Sequence, residues 1–255
     1  MKIVIIGSGN VAFHLAKAFT QNEISVSQIF GRNETDLKEI SEVLGIPFST
    51  EKLLDADLYV IAVKDESIEE VSKIIKEKNC LVAHTSGSVE IEKLIGNYRK
   101  ASFYPLQTFS KTKSLDYDKI PFFLEAKNDQ DFDLLKKLAQ KISPKVMKST
   151  FEQRKYIHLT AVFACNFTNH LFAKAKEISD SQNIPFDYFL PLIDETVEKI
   201  HQISPKDAQT GPAIRQDEKI LNSHKKLIKD KDAKDIFEVM NTSIKNMYKN
   251  QNSEL

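Results

Sequence analysis

The first half of the chain alternates short apolar runs with longer amphipathic stretches. The apolar runs are rich in β-branched residues, which is typical of buried strands, and the amphipathic stretches repeat their apolar positions every three or four residues, as helices do. Strands that alternate with helices predict an α/β fold with a parallel sheet and right-handed crossovers. The predicted strands are Lys2–Ile6, Ser25–Phe30, Leu58–Val63, Cys80–His84, Ala101–Tyr104, Pro121–Leu124 and Lys145–Lys148. The predicted helices are Val11–Thr20, Glu34–Leu44, Ser67–Lys78, Val89–Leu94 and Gln130–Ile142.

The second half of the chain has a helical pattern throughout. Beyond about residue 150 no segment has the pattern of a strand, and apolar positions spaced by three and four predict one long helix over Glu152–Ser181. A second helix is predicted over Leu190–Gln202, and further helices continue to about Tyr248, after which residues 250–255 are expected to fray. The change of pattern predicts two domains, an α/β domain over residues 1–150 and an all-α domain over residues 151–255.

Composition and charge narrow the class of protein. The chain has 255 residues, and its 36 basic residues are balanced by 36 acidic ones, so no overall field would draw it onto nucleic acid or an anionic membrane. Its longest apolar runs are far shorter than the roughly 18 residues of a membrane span, and its start lacks the features of a signal peptide. We therefore expect a cytoplasmic protein without a nucleic-acid or membrane partner. Cys80 and Cys165 have no metal-binding or redox spacing and are expected to be buried free thiols, and no metal site is predicted.

A glycine-rich turn follows the first predicted strand and precedes the first predicted helix. Its residues Gly7, Ser8, Gly9, Asn10 and Val11, followed by Ala12, match the G-x-G-x-x-G/A pattern of dinucleotide-binding sites. The first glycine permits a tight turn, the second lets the backbone approach a pyrophosphate, and the free N–H groups of the helix bind the phosphate. Because the pattern alone arises by chance, the strand before it and the helix after it carry the prediction of a dinucleotide site. A glycine turn in an α/β domain that binds no nucleotide is the competing interpretation.

The end of the second strand indicates which nucleotide is bound. An acidic residue is usual there and accepts hydrogen bonds from the adenine ribose, but this chain has Arg32 and Asn33 instead. A carboxylate would repel a 2′-phosphate, whereas a guanidinium binds it with two hydrogen bonds, so the sequence favours NADP over NAD. The alternative is that Arg32 is an ordinary solvated charge.

Polar residues follow three further strands at the same edge of the predicted sheet. Val63 and Lys64 end the third strand and should lie along the cofactor, because ligands bind at the carboxyl ends of strands in open α/β folds. Ser86 lies beyond the next strand, where its hydroxyl would approach the nicotinamide ribose or the substrate, or would only shape a turn before a helix capped by Ser88. The segment Ser102–Ser110 adds a third loop, with a rigid turn expected at Tyr104-Pro105.

These motifs together resemble a known bacterial family. The segments GSGNVA, HTSGS and YPLQTFS, with Tyr156-Ile157-His158, Ala164-Cys165-Asn166-Phe167 and TGPAIRQD at 210–217, resemble proteins that pair a Rossmann-like domain with a helical domain of unknown function. That family is similar to deazaflavin-dependent NADP oxidoreductases, pyrroline-5-carboxylate reductases and hydroxyacid dehydrogenases. The resemblance covers nearly the whole chain and implies an oxidoreductase. Because related enzymes pack such helices across a two-fold axis, it also implies a homodimer through the helical domain.

The resemblance also shows one departure. Hydroxyacid dehydrogenases carry a catalytic lysine one helical turn before an asparagine, but four residues before Asn166 this chain has Val162, which cannot transfer a proton. Lysine-assisted dehydrogenation of a 3-hydroxy acid is therefore not expected.

Three residues of the helical half are candidates for chemistry. His158 would act as a general acid, or it is a structural histidine. Asn166, in an apolar stretch, would bind substrate or the nicotinamide carboxamide, or it makes a buried helix-packing hydrogen bond. Thr210-Gly211-Pro212 has the features of a helix start, which would place Arg215 in the first two turns, where it holds a substrate carboxylate or pairs with an acidic neighbour.

The sequence therefore predicts a Rossmann-type dinucleotide-binding domain followed by a helical domain for substrate binding and dimerisation. The predicted activity is NADP-dependent hydride transfer to or from a small carbonyl or imine compound bound between the two domains. A protein that binds or senses NADP without turnover is the alternative, because the sequence does not establish which residue is the proton donor.

Overall fold

The structure is a computed structural model that describes residues 1–249; the predicted fraying of residues 250–255 lies outside them. Its centre is an eight-stranded sheet in the order β3-β2-β1-β4-β5-β6-β7-β8. The strands are β1 (Ile3–Ile6), β2 (Val26–Phe30), β3 (Phe48–Ser49), β4 (Leu58–Ile61), β5 (Leu81–His84), β6 (Arg99–Pro105), β7 (Phe122–Ala126) and β8 (Val146–Lys148). All seven predicted strands are present, and the two-residue edge strand β3, which has no distinct apolar pattern, is additional.

The predicted α/β fold with a parallel sheet is confirmed, except that one pair of strands is antiparallel. β7 runs antiparallel to β6, whereas β8 is again parallel to β7. A parallel connection needs a crossover, which is usually a helix. The segment between Leu106 and Pro121 contains only a 3-10 turn at Tyr117–Lys119, so the chain returns without crossing the sheet.

Four helices accompany the strands of the sheet, before the long helix begins. Three match their predicted extents closely, and Gly45 ends the second of these in the left-handed region, at φ 68°. The helix predicted over Ser67–Lys78 is much shorter, and Val89–Leu94 contains only a 3-10 turn at Ile91–Lys93. These helices are α1 (Asn10–Gln21), α2 (Glu34–Leu44), α3 (Ile68–Ser72) and α4 (Asp129–Gln140).

The central strands are buried on both faces. Successive side chains of a strand point to opposite sides, so Ile3 and Ile5 of β1 enter one apolar cluster while Val4 and Ile6 enter another. Every residue of β1, β4 and β5 is buried, which explains why these strands have no polar alternation in the sequence.

The long predicted helix is continuous but not uniform. It consists of α5 (Phe151–Ala161), a π-helical segment at Val162–Phe167, and α6 (Thr168–Asp180). A capping box starts α5: the Thr150 hydroxyl accepts from the Gln153 N–H, and the Gln153 side chain accepts from the Thr150 N–H. The chain forms two compact units that divide between Asn166 and Phe167, later than the boundary expected near residue 150. The first turns of the long helix belong to the sheet unit because Arg154 and His158 contact its strands and loops.

The second unit is helical, and no strand occurs in its described part. After α6 it contains α7 (Leu190–Gln202), α8 (Glu218–Leu227) and α9 (Lys231–Tyr248). The helix predicted to open at Thr210 is absent: Gly211 has φ 110° and Gln216 has φ 55°, both outside the right-handed helical region. The next helix begins only after Asp217, whose carboxylate accepts from the Ile220 N–H.

Cys80 is buried, but Cys165 is exposed on the π-helical segment, so the expectation of two buried thiols is wrong for Cys165. No helix within residues 1–249 is long and apolar enough to cross a membrane.

Candidate functional site

The glycine-rich turn takes the geometry that its sequence predicts. Gly7 has φ 138°, its N–H donates to the Phe30 carbonyl at 2.8 Å, and a Cβ there would lie 2.1 Å from the Ala62 carbonyl oxygen. Glycine is therefore required at position 7 by both the backbone angle and the close approach of β4. A Cβ on Gly9 would meet no atom within 4 Å, so the space in front of this residue is open.

The start of α1 faces that open space without a side-chain cap. Gly9 is the residue before the helix, and no side chain accepts a hydrogen bond from the first N–H groups. Unpaired N–H groups at the start of a helix attract anions because the helix dipole is positive there. This arrangement fits a pyrophosphate.

A cleft of about 1300 Å³ lies along this edge of the sheet. Pockets for small molecules measure roughly 300–1,000 Å³, so the cleft is large enough for an extended ligand. Nine of the ten predicted cofactor-binding residues line it; these are Gly7, Ser8, Gly9, Asn10, Val11, Arg32, Asn33, Val63 and Lys64. Ser86, the tenth, does not.

Three of the polar side chains in this cleft are held by the protein itself. The Ser8 hydroxyl donates to Asp36 at 3.4 Å, and the Asn10 amide donates to the Phe109 carbonyl at 3.0 Å. Asn33 caps α2, since its side-chain oxygen accepts from the Asp36 N–H at 3.2 Å. The side chain of Arg32 is exposed, and it makes no hydrogen bond or ion pair with residues 1–249. Arg32 is therefore available to an anionic ligand.

A second polar group lies at the ends of β5 and β6. The Tyr104 hydroxyl, at the end of β6, lies 3.1 Å from Nδ1 of His158 on α5. A Cβ on Gly87 would lie 2.8 Å from Cζ of Tyr104 and 3.0 Å from Cβ of His158. Residue 87 must therefore be small for the tyrosine and histidine to meet. The HTSGS segment supplies that glycine.

Ser86, next to this pair, is used to shape its own loop. Its N–H donates to Nδ1 of His84 at 3.2 Å, and its hydroxyl accepts from the Ser88 N–H at 3.0 Å. Ser86 therefore shapes the turn, which is one of the two roles predicted from the sequence. A contact of its hydroxyl with the nicotinamide ribose or the substrate stays a prediction.

A buried arginine fixes α5 against the sheet. The Arg154 side chain is fully buried, forms an ion pair with Glu125 of β7, and donates from Nη2 to the Val89 carbonyl at 2.6 Å. Arg154 precedes His158 by four residues, about one helical turn, so the two side chains lie on the same face of α5. The ion pair therefore holds His158 next to Tyr104.

Burial changes the pKa of two groups in this region. Loss of solvation raises the pKa of Tyr104 to about 12; the nearby Asp65 carboxylate raises it further and Arg154 opposes the rise. Burial also lowers the pKa of His84 to about 3, with a smaller contribution from the positive charge of Arg154. At neutral pH the Tyr104 phenol is protonated and the His84 ring is uncharged.

The three predicted catalytic residues have different surroundings. His158 contacts Tyr104, as described above. Asn166 is exposed in the π-helical segment, so the expectation that it is buried is wrong. Arg215 is exposed in the turns before α8, not in the first turns of a helix as expected. Substrate contacts by Asn166 and Arg215 stay predictions.

Sequence reasoning missed two residues of this region. Tyr104 was predicted to end a strand and to begin a rigid turn with Pro105, without a role of its own. The predicted turn is wrong, because both residues lie in β6. The position of Tyr104 at the carboxyl end of a buried strand was a signal of function. Arg154 gave no signal, because an arginine on an amphipathic helix is usually solvated. Within residues 1–249, no group of three or more histidine, cysteine, aspartate or glutamate side chains is arranged to hold a metal ion.

Comparison with known proteins gives two family matches. The family described as "NADP oxidoreductase coenzyme F420-dependent" matches residues 2–85, and the "Domain of unknown function (DUF2520)" matches residues 120–244. No curated protein matches the chain at a significant level.

Solved structures match along nearly the whole chain. A Bacteroides fragilis protein described as a "putative NADP oxidoreductase" is 40% identical, with a TM-score of 0.91 over 96% of this chain and 98% of that one. Protein TM1727 of Thermotoga maritima is 20% identical, with a TM-score of 0.82 over 97% of this chain and 99% of that one. The 1-pyrroline-5-carboxylate reductase of Streptococcus pyogenes is 16% identical, with a TM-score of 0.62 over 96% of this chain and 98% of that one.

At 20% and 16% identity, the Thermotoga maritima and Streptococcus pyogenes structures show a similar fold alone. The Bacteroides fragilis protein, at 40% identity over nearly the whole of both chains, is similar enough in sequence to show a common family. Its identity extends over the sheet unit, with the nucleotide-type cleft, and over the helical unit. The chain belongs to the family of Rossmann-fold oxidoreductases that combine these two matched domains.

Proposed function

We propose that the protein is an NADP-dependent oxidoreductase that transfers a hydride between the nicotinamide ring and a small carbonyl or imine compound. The observation that carries this proposal is the cleft at the start of α1, where Gly7 forms a tight turn, and Gly9 and the uncapped N–H groups of the helix face open space. The Bacteroides fragilis relative is described as a "putative NADP oxidoreductase", which agrees with the proposal.

The residues of the cleft suggest how the cofactor is held. The backbone N–H groups of Gly9 and the first turn of α1 would bind the pyrophosphate, and Val63 and Lys64 would border the nicotinamide half. When bound, the cofactor supplies or accepts the hydride. The chain's own residues would hold and orient it.

Arg32 is proposed to select NADP over NAD. Its unpaired guanidinium lines the cleft at the end of β2, where the adenine ribose binds in this fold. Replacement by alanine should weaken NADPH binding by roughly ten- to a hundredfold, because hydrogen bonds between charged groups are lost. The affinity for NADH, which lacks the 2′-phosphate, should stay unchanged.

Nucleotide fluorescence titrations would measure both affinities. Lys38→Ala is the matched control. Like Arg32, Lys38 is an exposed cation, but it lies on α2 and does not line the cleft. An equal loss of NADPH and NADH affinity in Arg32→Ala, or no loss at all, would contradict the assignment of the phosphate site.

Turnover is tested by the oxidation of NADPH in the presence of a panel of keto acids, aldehydes, ketones and cyclic imines. We expect at least one carbonyl or imine compound to be reduced. Tight NADPH binding without turnover of any compound would instead favour a protein that binds the nucleotide without catalysis.

A further inference from the structure

Tyr104 and His158 form an isolated acid–base pair at the carboxyl edge of the sheet. The tyrosine hydroxyl is 3.1 Å from Nδ1 of the histidine, and the tyrosine is only 8% exposed whereas the histidine is exposed. One end of the pair is thus shielded from water and the other end is in contact with it. This asymmetry suits the transfer of protons from solvent to a protected site.

The surroundings of the pair are built to keep it together. Gly87 leaves room for both rings, and the buried Arg154–Glu125 ion pair fixes the turn of α5 that carries His158. The charged groups that act on Tyr104 are Asp65, which follows β4, and Arg154. Burial raises the pKa of Tyr104 to about 12, so the phenol is protonated at neutral pH and can donate a proton.

We infer that Tyr104 is the proton donor of the proposed reaction and that His158 restores its proton. This inference rests on the proposed function. As the carbonyl carbon gains the hydride that the cofactor supplies, the carbonyl oxygen takes the proton from Oη of Tyr104. Nδ1 of His158 then returns a proton to Oη, and water reprotonates His158. The sum is one carbonyl, one reduced nicotinamide and one proton converted to one alcohol and one oxidised nicotinamide.

The chemistry of the Tyr104–His158 pair also favours one of the two proposed substrate classes. Hydride addition to a carbonyl produces an alkoxide, a strong base that needs an acid beside it. A protonated imine becomes a neutral amine on hydride addition and needs no further proton in that step. A shielded phenol supplied by a solvent-exposed histidine therefore fits a carbonyl substrate. Arg154 acts through His158 and is a positioning residue.

The first test uses the nucleotides alone. The Cε1–H resonance of His158 is assigned by its loss in His158→Gln and compared between the NADPH and NADP⁺ complexes at one pH. The oxidised nicotinamide carries an additional positive charge, which acts on a nearby imidazole ring. We expect the His158 resonance to move when NADP⁺ replaces NADPH.

The outcomes of this test separate the two proposals. An identical His158 resonance in the two complexes would overturn the relay and leave the proposed function standing. Failure of both nucleotides to bind would overturn the proposed function and the relay with it.

The second test is kinetic and uses the carbonyl compound that is reduced fastest in the panel. Tyr104→Phe should lower kcat by roughly 10²- to 10⁴-fold with NADPH affinity kept within about twofold. His158→Gln should lower kcat less and remove one limb of its pH profile, because the glutamine cannot carry the proton. The matched control is Tyr98→Phe, which removes a buried hydroxyl before the opposite end of β6 and should leave kcat unchanged.

Unchanged kcat in Tyr104→Phe, or an equal loss in Tyr98→Phe, would overturn the relay. So would a panel in which only imines are reduced and Tyr104→Phe reduces them as fast as the natural chain.

Discussion

Gly7 and Gly9 lie two positions apart in the same turn, but they have different roles in the structure. A Cβ at position 7 would overlap the Ala62 carbonyl, and its φ of 138° is unfavourable for any other residue. Gly7→Ala should therefore lose about 2 kcal/mol or more of unfolding free energy, together with nucleotide affinity. Gly9→Ala should keep its unfolding free energy, because a Cβ there would meet no atom within 4 Å, and should lose only nucleotide affinity.

Urea denaturation and NADPH titration of both variants would separate the two effects. A Gly7→Ala variant as stable as the natural chain would show that the turn can relax away from β4. Equal affinity in Gly9→Ala would mean that the phosphates do not approach the backbone at this residue.

His84 makes the stability of the protein depend on pH. Its pKa is lowered to about 3 in the folded chain, below the value of roughly 6.5 expected when unfolded, so between these values only the unfolded state binds the proton. Stability should be complete above pH 6.5 and fall as the pH decreases toward 3, by up to about 1.4 kcal/mol per pH unit.

The variant His84→Asn isolates this effect, since the asparagine oxygen can accept the Ser86 N–H in place of Nδ1. Unfolding free energies from urea titrations at pH 7, 6 and 5 should fall less steeply in the variant. The other five histidines contribute to both proteins alike. Parallel pH profiles would show that His84 gains its proton without cost.

Local sequence identifies residues whose role depends on their immediate neighbours. Gly7 was predicted because its strand, turn and helix are contiguous. Tyr104 and His158 are 54 positions apart, and Arg154 and Glu125 are 29 apart, so only the folded chain brings each pair together. The turn at Thr210 was mispredicted because a proline after a glycine also suits loops, and only the backbone angles decide.

At the scale of elements, the attachment of α5 to the sheet depends on a buried charge pair. Glu125→Gln would leave the buried guanidinium of Arg154 without its counter-charge, at a cost of about 3 kcal/mol. The double variant Glu125→Gln/Arg154→Met should recover part of this loss, because it removes the unpaired charge.

Lys127→Gln is the matched control, since Lys127 follows the same strand and pairs with Glu92 at 2.9 Å on the surface. The Lys127→Gln variant should lose no more than about 1 kcal/mol of unfolding free energy. Urea denaturation measures all three variants. A Glu125→Gln variant that loses no more than Lys127→Gln would show that solvent reaches Arg154.

Apolar patterning predicted the elements that are buried on both faces more accurately than those at the surface. β1, β4 and β5 were predicted because nearly all of their residues are apolar, and the structure shows every one of them buried. The helix over Ser67–Lys78 was predicted too long because charged residues after Ser72 favour a helix equally well as a turn. The direction of β7 was missed because patterning specifies which residues are buried but not how the chain returns.

At the scale of the whole molecule, the helical unit has apolar surface that an isolated chain would expose to water. All 13 residues of α7 are described, and none of them is buried. Its apolar side chains are therefore exposed: Leu192 is 65% exposed and Ile200 is 48% exposed. A helix gains most of its stability by burying an apolar face. We propose that a second copy of the chain covers this surface, so that the protein is a homodimer.

Light scattering coupled to size-exclusion chromatography should give twice the chain mass of 29.1 kDa. Leu192→Asp would place a charge in the interface and should shift the protein toward the monomer by roughly a hundredfold in dissociation constant, since a buried unpaired charge costs several kcal/mol. Val43→Asp is the control: Val43 is 61% exposed on α2 of the sheet unit, and its replacement should leave the mass unchanged. A natural chain that is monomeric at micromolar concentration would refute the dimer, and an equal effect of the two variants would move its interface away from α7.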